Sequence, residues 1–478
     1  MQDTEATNQV GDAPTRFFSE TQPSGSLPES RSHDGRFRGY VRIRTLESFQ
    51  HRSFRFLWAT LFSGAFSGWM VNVVVGWLTF HLTHSPLLTG LAIGIGALPA
   101  VIVGPIAGVF VDALDRRKTV AIALGLWALF VAGFGVVVIV GPVAPWHVFA
   151  FALLTGVAGS LLGPAEQALL ANVIPKRLYV NGFALAGLAG SITRLAAPAF
   201  TGFSIALIGP GPTLMLAVIF LLVAIYSTLM IEGFNYNRHP LRPRVVLTEL
   251  LEAAGYILHN KTVLSMTLLI ASFMLLLTPV NMGLMPVYAD EVFSGGPELL
   301  GLLVATLGAG NTIGAIVLAS LGEIRQKGLL IVVTSCITGV GLLAFSQSGT
   351  LLLAFSILVA YGATMVITYT VAGVVIQSIV PDNIRGRVIG LYGTTLIAFP
   401  IGTLIVGGLA QLYGAPAATL VSGTALIAVV LLMSIAFRAE WSFNTGDEAK
   451  GCRTTEDTSQ VGSADPGTQT VQSAIPRS

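Results

Sequence analysis

Two residues of opposite charge interrupt otherwise apolar runs of this chain. Glu166 lies within 145–173 and Arg194 within 181–207. A charge near the centre of a bilayer costs at least about 2.5–3.5 kcal/mol on insertion scales, so an ion kept there needs a function or a partner. Glu166 stands nine residues before Pro175 and follows Gly163-Pro164, where a kink can turn it inward. Arg194 lies some 13 residues into its own run, near mid-depth. The two runs are consecutive and antiparallel, so their side chains can approach. One chemistry that fits is a structural ion pair. The other makes Glu166 a carboxylate that takes up and releases a proton, with Arg194 tuning it or holding an anionic group of a substrate.

A second pattern with a mechanism follows the second apolar run: Gly108-Val-Phe-Val-Asp112-Ala-Leu-Asp115-Arg116-Arg117-Lys118. Gly104 and Gly108 form a small-residue face that admits a close neighbour helix. Asp112 then sits at a helix end, where it can accept from the N-terminus of another helix. With Arg116 and Arg117 pairing to acids of the other half, the motif would latch one side shut. A basic loop that only sets topology explains the bases but not the glycine–aspartate spacing. Sparse polar and aromatic residues in other runs could line a cavity: Trp69, Asn72, Asn281, Tyr361 and Tyr369. Each also fits packing or an interfacial anchor.

Other chemistry has no carrier. No G-x-x-x-x-G-K-[ST] run occurs, so ATP is not expected to power the chain. The 7 histidines form no metal-like cluster with acids or cysteine, and no cofactor or metal is expected. Cys336 in an apolar run and Cys452 in a polar one read as free thiols. A membrane-embedded enzyme would need a polar cluster at depth, where only one acid and one base stand.

The elements that must position these residues follow from composition. Of 478 residues 53% are hydrophobic and only 10% charged, against about 25% charged in soluble domains. Mean hydropathy is +0.76, so the solvent for most of the chain is lipid. A net charge of +2 gives no electrostatic case for nucleic acid. Continuous apolar runs of bilayer-spanning length read as helices at 56–80, 86–111, 119–140, 145–173, 181–207, 212–232, 262–288, 298–321, 328–346, 350–379, 386–411 and 416–437. The expected fold is therefore all-α and integral to the membrane, with twelve spans. Lys and Arg fall before helix 1 and after helices 2, 4, 6, 8, 10 and 12. The connections after helices 1, 3, 5, 7, 9 and 11 carry none. The positive-inside rule then places both termini in the cytoplasm and the protein in the cell membrane. No apolar segment of a secretory leader appears near Met1.

The two halves repeat. Shifted by 206 residues, eight glycines coincide, among them Gly104 and Gly108 with Gly310 and Gly314, and Pro175 and Pro210 fall on Pro381 and Pro416. Same-sense repeats of six helices read as halves related by an axis along the membrane normal. The expected organisation is a disordered tail over 1–45, a six-helix half over 46–232, and a linker over 233–261. A second half over 262–438 and a tail over 439–478 complete it. Within the linker, Leu247-Thr-Glu-Leu-Leu-Glu252 suits an interfacial helix.

Twelve spans in two halves, with Gly108, Asp112, Arg116 and Arg117 at the spacing G-x-x-x-D-x-x-x-R-R, resemble the major facilitator superfamily. Asp115 stands where that family usually has glycine, and Leu318 replaces the acid in the second copy. Several further segments are similar to its enterobactin-exporter and macrolide-efflux-like branch: His51-Arg-Ser-Phe-Arg-Phe-Leu-Trp58, Gly68-Trp-Met70, Leu98-Pro99 and Val380-Pro-Asp-Asn-Ile-Arg-Gly-Arg-Val388. The resemblance covers about residues 46–437. It implies a monomeric secondary transporter, with a small-molecule substrate and protons as its partners in the lipid bilayer, and export by proton antiport. The helix 5 pattern of antiporter branches survives only as Ala197-Pro-Ala-Phe-Thr-Gly202. An importer or facilitator on the same fold, or a membrane sensor or scaffold, stays open. The sparse charge favours a bulky, largely apolar substrate.

Overall fold

In hydrocarbon a backbone must satisfy its own hydrogen bonds, and the long apolar runs of this chain do so as helices. A computed structural model describes the chain over residues 44–113, 115–232, 252, 254–322, 324, 326–381, 384 and 393–441, and its side chains there except at 44–46, 103–113, 393–394 and 439–440. Most of the expected tails and most of the linker, including 247–251, lie outside the described residues. The helices are α1 Arg52–Thr83, α2 Pro86–Ala113, α3 Arg116–Val140, α4 Pro145–Val173, α5 Tyr179–Ile208 and α6 Pro210–Leu229. They continue with α7 Lys261–Val292 and with α8 Pro297–Ser320, α9 Lys327–Ser346, α10 Leu351–Ile379, α11 Ala398–Tyr413 and α12 Ala415–Ala436. Among the described residues, 11 helices are long and apolar enough to cross a membrane, and α2 contributes the shorter apolar run Pro86–Ile102.

Helix ends follow local chemistry. Asp115 caps α3, its carboxylate accepting from the backbone N–H of Arg117 (3.1 Å) and Lys118 (3.4 Å). Asn260 caps α7 by accepting from the N–H of Val263 at 3.1 Å. The α5–α6 and α11–α12 hairpins each turn on one glycine, Gly209 and Gly414, both at φ 84°, a conformation that side chains disfavour. The same device recurs at matching places in the two sets of six helices.

Packing repeats in the same way. α2 packs on α4, α3 on α4 and α6, and α1 on α5 and α6. α8 packs on α10, α9 on α10 and α12, and α7 on α11 and α12. The two sets join along α2–α11 and α5–α8. Exposed aliphatic side chains such as Ile122, Leu129, Leu207, Ile316, Leu352 and Leu432 cover the periphery, as a lipid-facing surface requires. Short connections make neighbouring helices antiparallel. Arg52, Arg116, Lys176, Lys261, Lys327 and Arg438 therefore share one end, called here the basic end.

Two features shape the interior. α7 holds three π-helical turns, Phe273–Leu277, Val280–Leu284 and Tyr288–Val292. The first ends two residues before Pro279 and the second two residues before Pro286, whose rings lack an N–H and crowd the preceding turn, so the helix widens there. At the basic end, residues next to the helical body are pinned. Ser48 donates its N–H (3.0 Å) and hydroxyl (2.6 Å) to Asn181 of α5, and Trp58 Nε1 donates to the Leu185 carbonyl at 2.9 Å. Trp441, in the short helix Arg438–Trp441, donates from Nε1 to Ser265 of α7 at 3.0 Å.

Candidate functional site

A small pocket lies between the two sets of helices, lined by Trp69 and Asn72 of α1, Ile93 of α2, Asn281 of α7, and Leu300 and Val304 of α8. Three of the residues expected to line a cavity thus meet in one place. A fourth, Tyr361 on α10, is fully buried and donates its hydroxyl to Asn281 Oδ1 at 2.8 Å, which fixes the amide from behind. The Asn281 amide in turn donates to Met365 Sδ at 3.6 Å, and Asn72 donates to the Gly68 carbonyl at 2.9 Å. Tyr369 is not part of this group. It lies two turns further along α10 and meets Phe273 edge-on, with ring centroids 5.4 Å apart.

The pocket is roofed at the end away from the basic residues. A Cβ placed on Gly76 would stand 3.2 Å from Pro286, and one on Gly90 would stand 2.7 Å from the Thr403 carbonyl. On the same seam Ser85 donates to Gln411 at 2.6 Å, and on the α5–α8 seam a Cβ on Gly301 would meet the Pro198 carbonyl at 2.5 Å. Small residues let the backbones touch here. The closest described approaches between the two sets run from this end to mid-depth, where Gly308 abuts the Arg194 carbonyl.

Among the described residues Glu166 and Arg194 form no ion pair. The Arg194 guanidinium lies over the Trp69 ring, 6.0 Å from its centroid, and Trp69 in turn lines the central pocket. Glu166 is half-buried and lines a second, open cavity with Leu61, Gln167, Leu170, Phe183 and Gly190. The physical reason for the separation is that α4 and α5 barely touch. Each carries an internal proline, Pro164 or Pro198, and each packs mainly on other helices.

The motif after α2 is placed in part. Gly108 and Asp112 lie on α2, but their side chains fall outside the described residues. Arg116 donates to Asn172 Oδ1 (2.8 Å) and to the Ala168 carbonyl (3.2 Å) on α4, and Arg117 donates to the Leu229 carbonyl at the end of α6. Both bases tie α3 to helices of their own set. Asp115 earns its departure from the family pattern as the cap of α3.

One residue was missed. Asn311 on α8 is 6% exposed, and its Oδ1 has no hydrogen-bond partner. Leu300, Val304 and Asn311 follow each other at helical spacing, so Asn311 continues the pocket-lining stripe toward the basic end. The signal was present, since an asparagine inside an apolar span is what singled out Asn72 and Asn281. Among the described residues no three His, Cys, Asp or Glu side chains gather as metal ligands.

The chain is similar to known proteins. The multidrug efflux pump Tap of Mycolicibacterium fortuitum is 26% identical over 373 residues, which cover 75% of this chain and 89% of that one. Macrolide efflux protein A of Streptococcus pyogenes is 23% identical over 371 residues, covering 74% and 89%. Among solved structures, a POT family transporter in complex with a thioalcohol-conjugated peptide superposes with a TM-score of 0.67 at 12% identity, covering 83% of this chain and all of that one, a likeness of fold alone. Residues 43–449 match the family described as transmembrane secretion effectors. A match over that much of the chain, on a bundle whose two sets of helices pack alike, places this protein in the transmembrane secretion effector family of the major facilitator superfamily.

Proposed function

We propose that this membrane transporter exports a bulky, largely apolar small molecule in exchange for protons, by alternating access between two six-helix halves. The observation that carries the reading is the central pocket, which α1, α2, α7 and α8 build jointly under a roof of close glycine contacts. A site between two rocking units, closed at one end, is what alternating access needs. The efflux names of the relatives support the outward direction. Glu166, half-buried in a span and free of an ion pair among the described residues, is the proton-binding group in this reading. The cell membrane is its place and a monomer its working unit.

The test is transport in proteoliposomes with a pH difference imposed in either sense. A panel of lipophilic fluorescent compounds, neutral, anionic and cationic, is offered. The expected result is accumulation of at least one compound that reverses when the pH difference is reversed. Equal distribution of every compound under both gradients would overturn proton antiport, and downhill equilibration alone would make the protein a facilitator.

In the same reading the basic end faces the cytoplasm, twelve helices span the membrane and both termini lie inside. This conformer is then closed outside and open inside. Cysteines placed one at a time at the exposed positions Gly349 and Lys176, in a chain without Cys336 and Cys452, are expected to react with an impermeant reagent from opposite sides. Reaction of both from one side sinks the topology.

A further inference from the structure

We infer that the central pocket receives an amphiphilic anion, a ligand with an apolar body and one carboxylate-like group, and that Arg194 holds the anionic group. The inference deepens the transport reading above and rests on it. Arg194 is exposed toward the interior although it lies within a span, and among the described residues no ion pair or side-chain hydrogen bond engages it. Its guanidinium lies over Trp69, and Trp69 lines the pocket beside Asn72 and Asn281. The backbone of Arg194 is fixed, because its carbonyl abuts Gly308 across the α5–α8 seam.

While the pocket is open, water can hydrate this cation. Closure of the basic end removes that water, and a bare charge at depth is then costly. A counter-ion must arrive with closure. The described acids of the second six helices, Asp290, Glu291 and Glu298, stand at the opposite end, in the α7–α8 connection. Asp115 is engaged as a helix cap. Asp112 stands at the basic end of α2, and its side chain falls outside the described residues. Among the described side chains Glu166 is the one acid in the interior of a span, and it lines a second cavity and makes no ion pair with Arg194. Among the described groups the remaining source is the ligand. Ile93, Leu300 and Val304 supply the apolar wall for its body, and the pocket amides can meet further polar groups.

The test is equilibrium binding of dansyl-undecanoic acid and its neutral methyl ester to the full chain in phosphatidylcholine nanodiscs, with empty nanodiscs subtracted. Wild type is expected to bind the acid about tenfold more tightly than the ester, the part of a charge pair that survives desolvation. Arg194→Gln is expected to remove that preference while ester binding stays unchanged, which also reports that the pocket is folded. Arg194→Lys is expected to retain part of the preference, and Glu166→Gln to leave it within about twofold. Equal binding of acid and ester to wild type overturns the inference, and so does a preference that survives Arg194→Gln. A preference that appears only in Glu166→Gln shows that Glu166 neutralises Arg194. Loss of the preference when phosphatidylglycerol is added shows that a lipid headgroup occupies the site. The assay uses no gradient, so failure of proton antiport leaves this result standing, and the reverse also holds.

Discussion

In proteoliposomes under an imposed pH difference, Glu166→Gln is expected to abolish gradient-driven accumulation while ligand binding stays within about threefold of wild type, the pattern of a lost coupling step with binding kept. Glutamine keeps the shape and the hydrogen-bonding reach of the side chain but cannot release a proton. The substitution breaks no ion pair among the described residues, because Glu166 lines its cavity while the Arg194 guanidinium lies over Trp69. A structural role would show differently. Removing one partner of a buried pair typically costs about 3–5 kcal/mol, and the variant would then be unstable in the membrane. Glu166 instead lines an open cavity near the basic end of α4, where water can reach the carboxylate and exchange its proton. If the variant still concentrates a transported compound under a pH difference, Glu166 is not the coupling site, and the proton must use another path.

Gly202→Ala is expected to open the seam that closes the opposite end and to slow transport by at least about tenfold, the factor that 1.4 kcal/mol produces. A Cβ at Gly202 would meet the Pro297 carbonyl, and would stand 2.9 Å from Cα of Gly301 and 3.1 Å from Cα of Glu298. These are backbone atoms, which cannot rotate away as a side chain would. α5 and α8 must separate, and overpacking of this kind costs about 1–3 kcal/mol. The cost falls only on the conformer in which the two helices touch. The conformational equilibrium should therefore move by roughly 5- to 150-fold toward the state open at that end. A cysteine at the buried position Ile205, one turn further along α5, reads this directly. Faster labelling at Ile205→Cys with reduced transport is the expected pair of results. Unchanged labelling and unchanged transport would remove the seam from the transport cycle.

The helices were legible because each long apolar run has punctuation at its ends. Pro145 and Pro175 bracket α4, and Gly209 and Gly414 mark two hairpins. Trp69, Asn72 and Asn281 were legible as pocket residues because polar groups in an apolar span need a reason to be there. The separation of Glu166 from Arg194 was not legible. Both helices are apolar on all sides, so no periodic stripe shows which way a side chain points, and the internal prolines Pro164 and Pro198 reset the direction partway along. Tyr369 went astray for a related reason. It shares a helix with Tyr361, but eight residues place it about 12 Å further along, beside Phe273. The widened turns of α7 had only Pro279 and Pro286 as a sign.

The two pinned segments at the basic end turn the protein into its own measuring device. Ser48 is fastened to α5 of the first six helices, and Trp441 to α7 of the second six. Each segment therefore travels as a rigid handle with its own set. A pair of spin labels at Phe49 and Arg438 would record the angle between the sets as a distance, without a probe inside the pocket and without a known ligand.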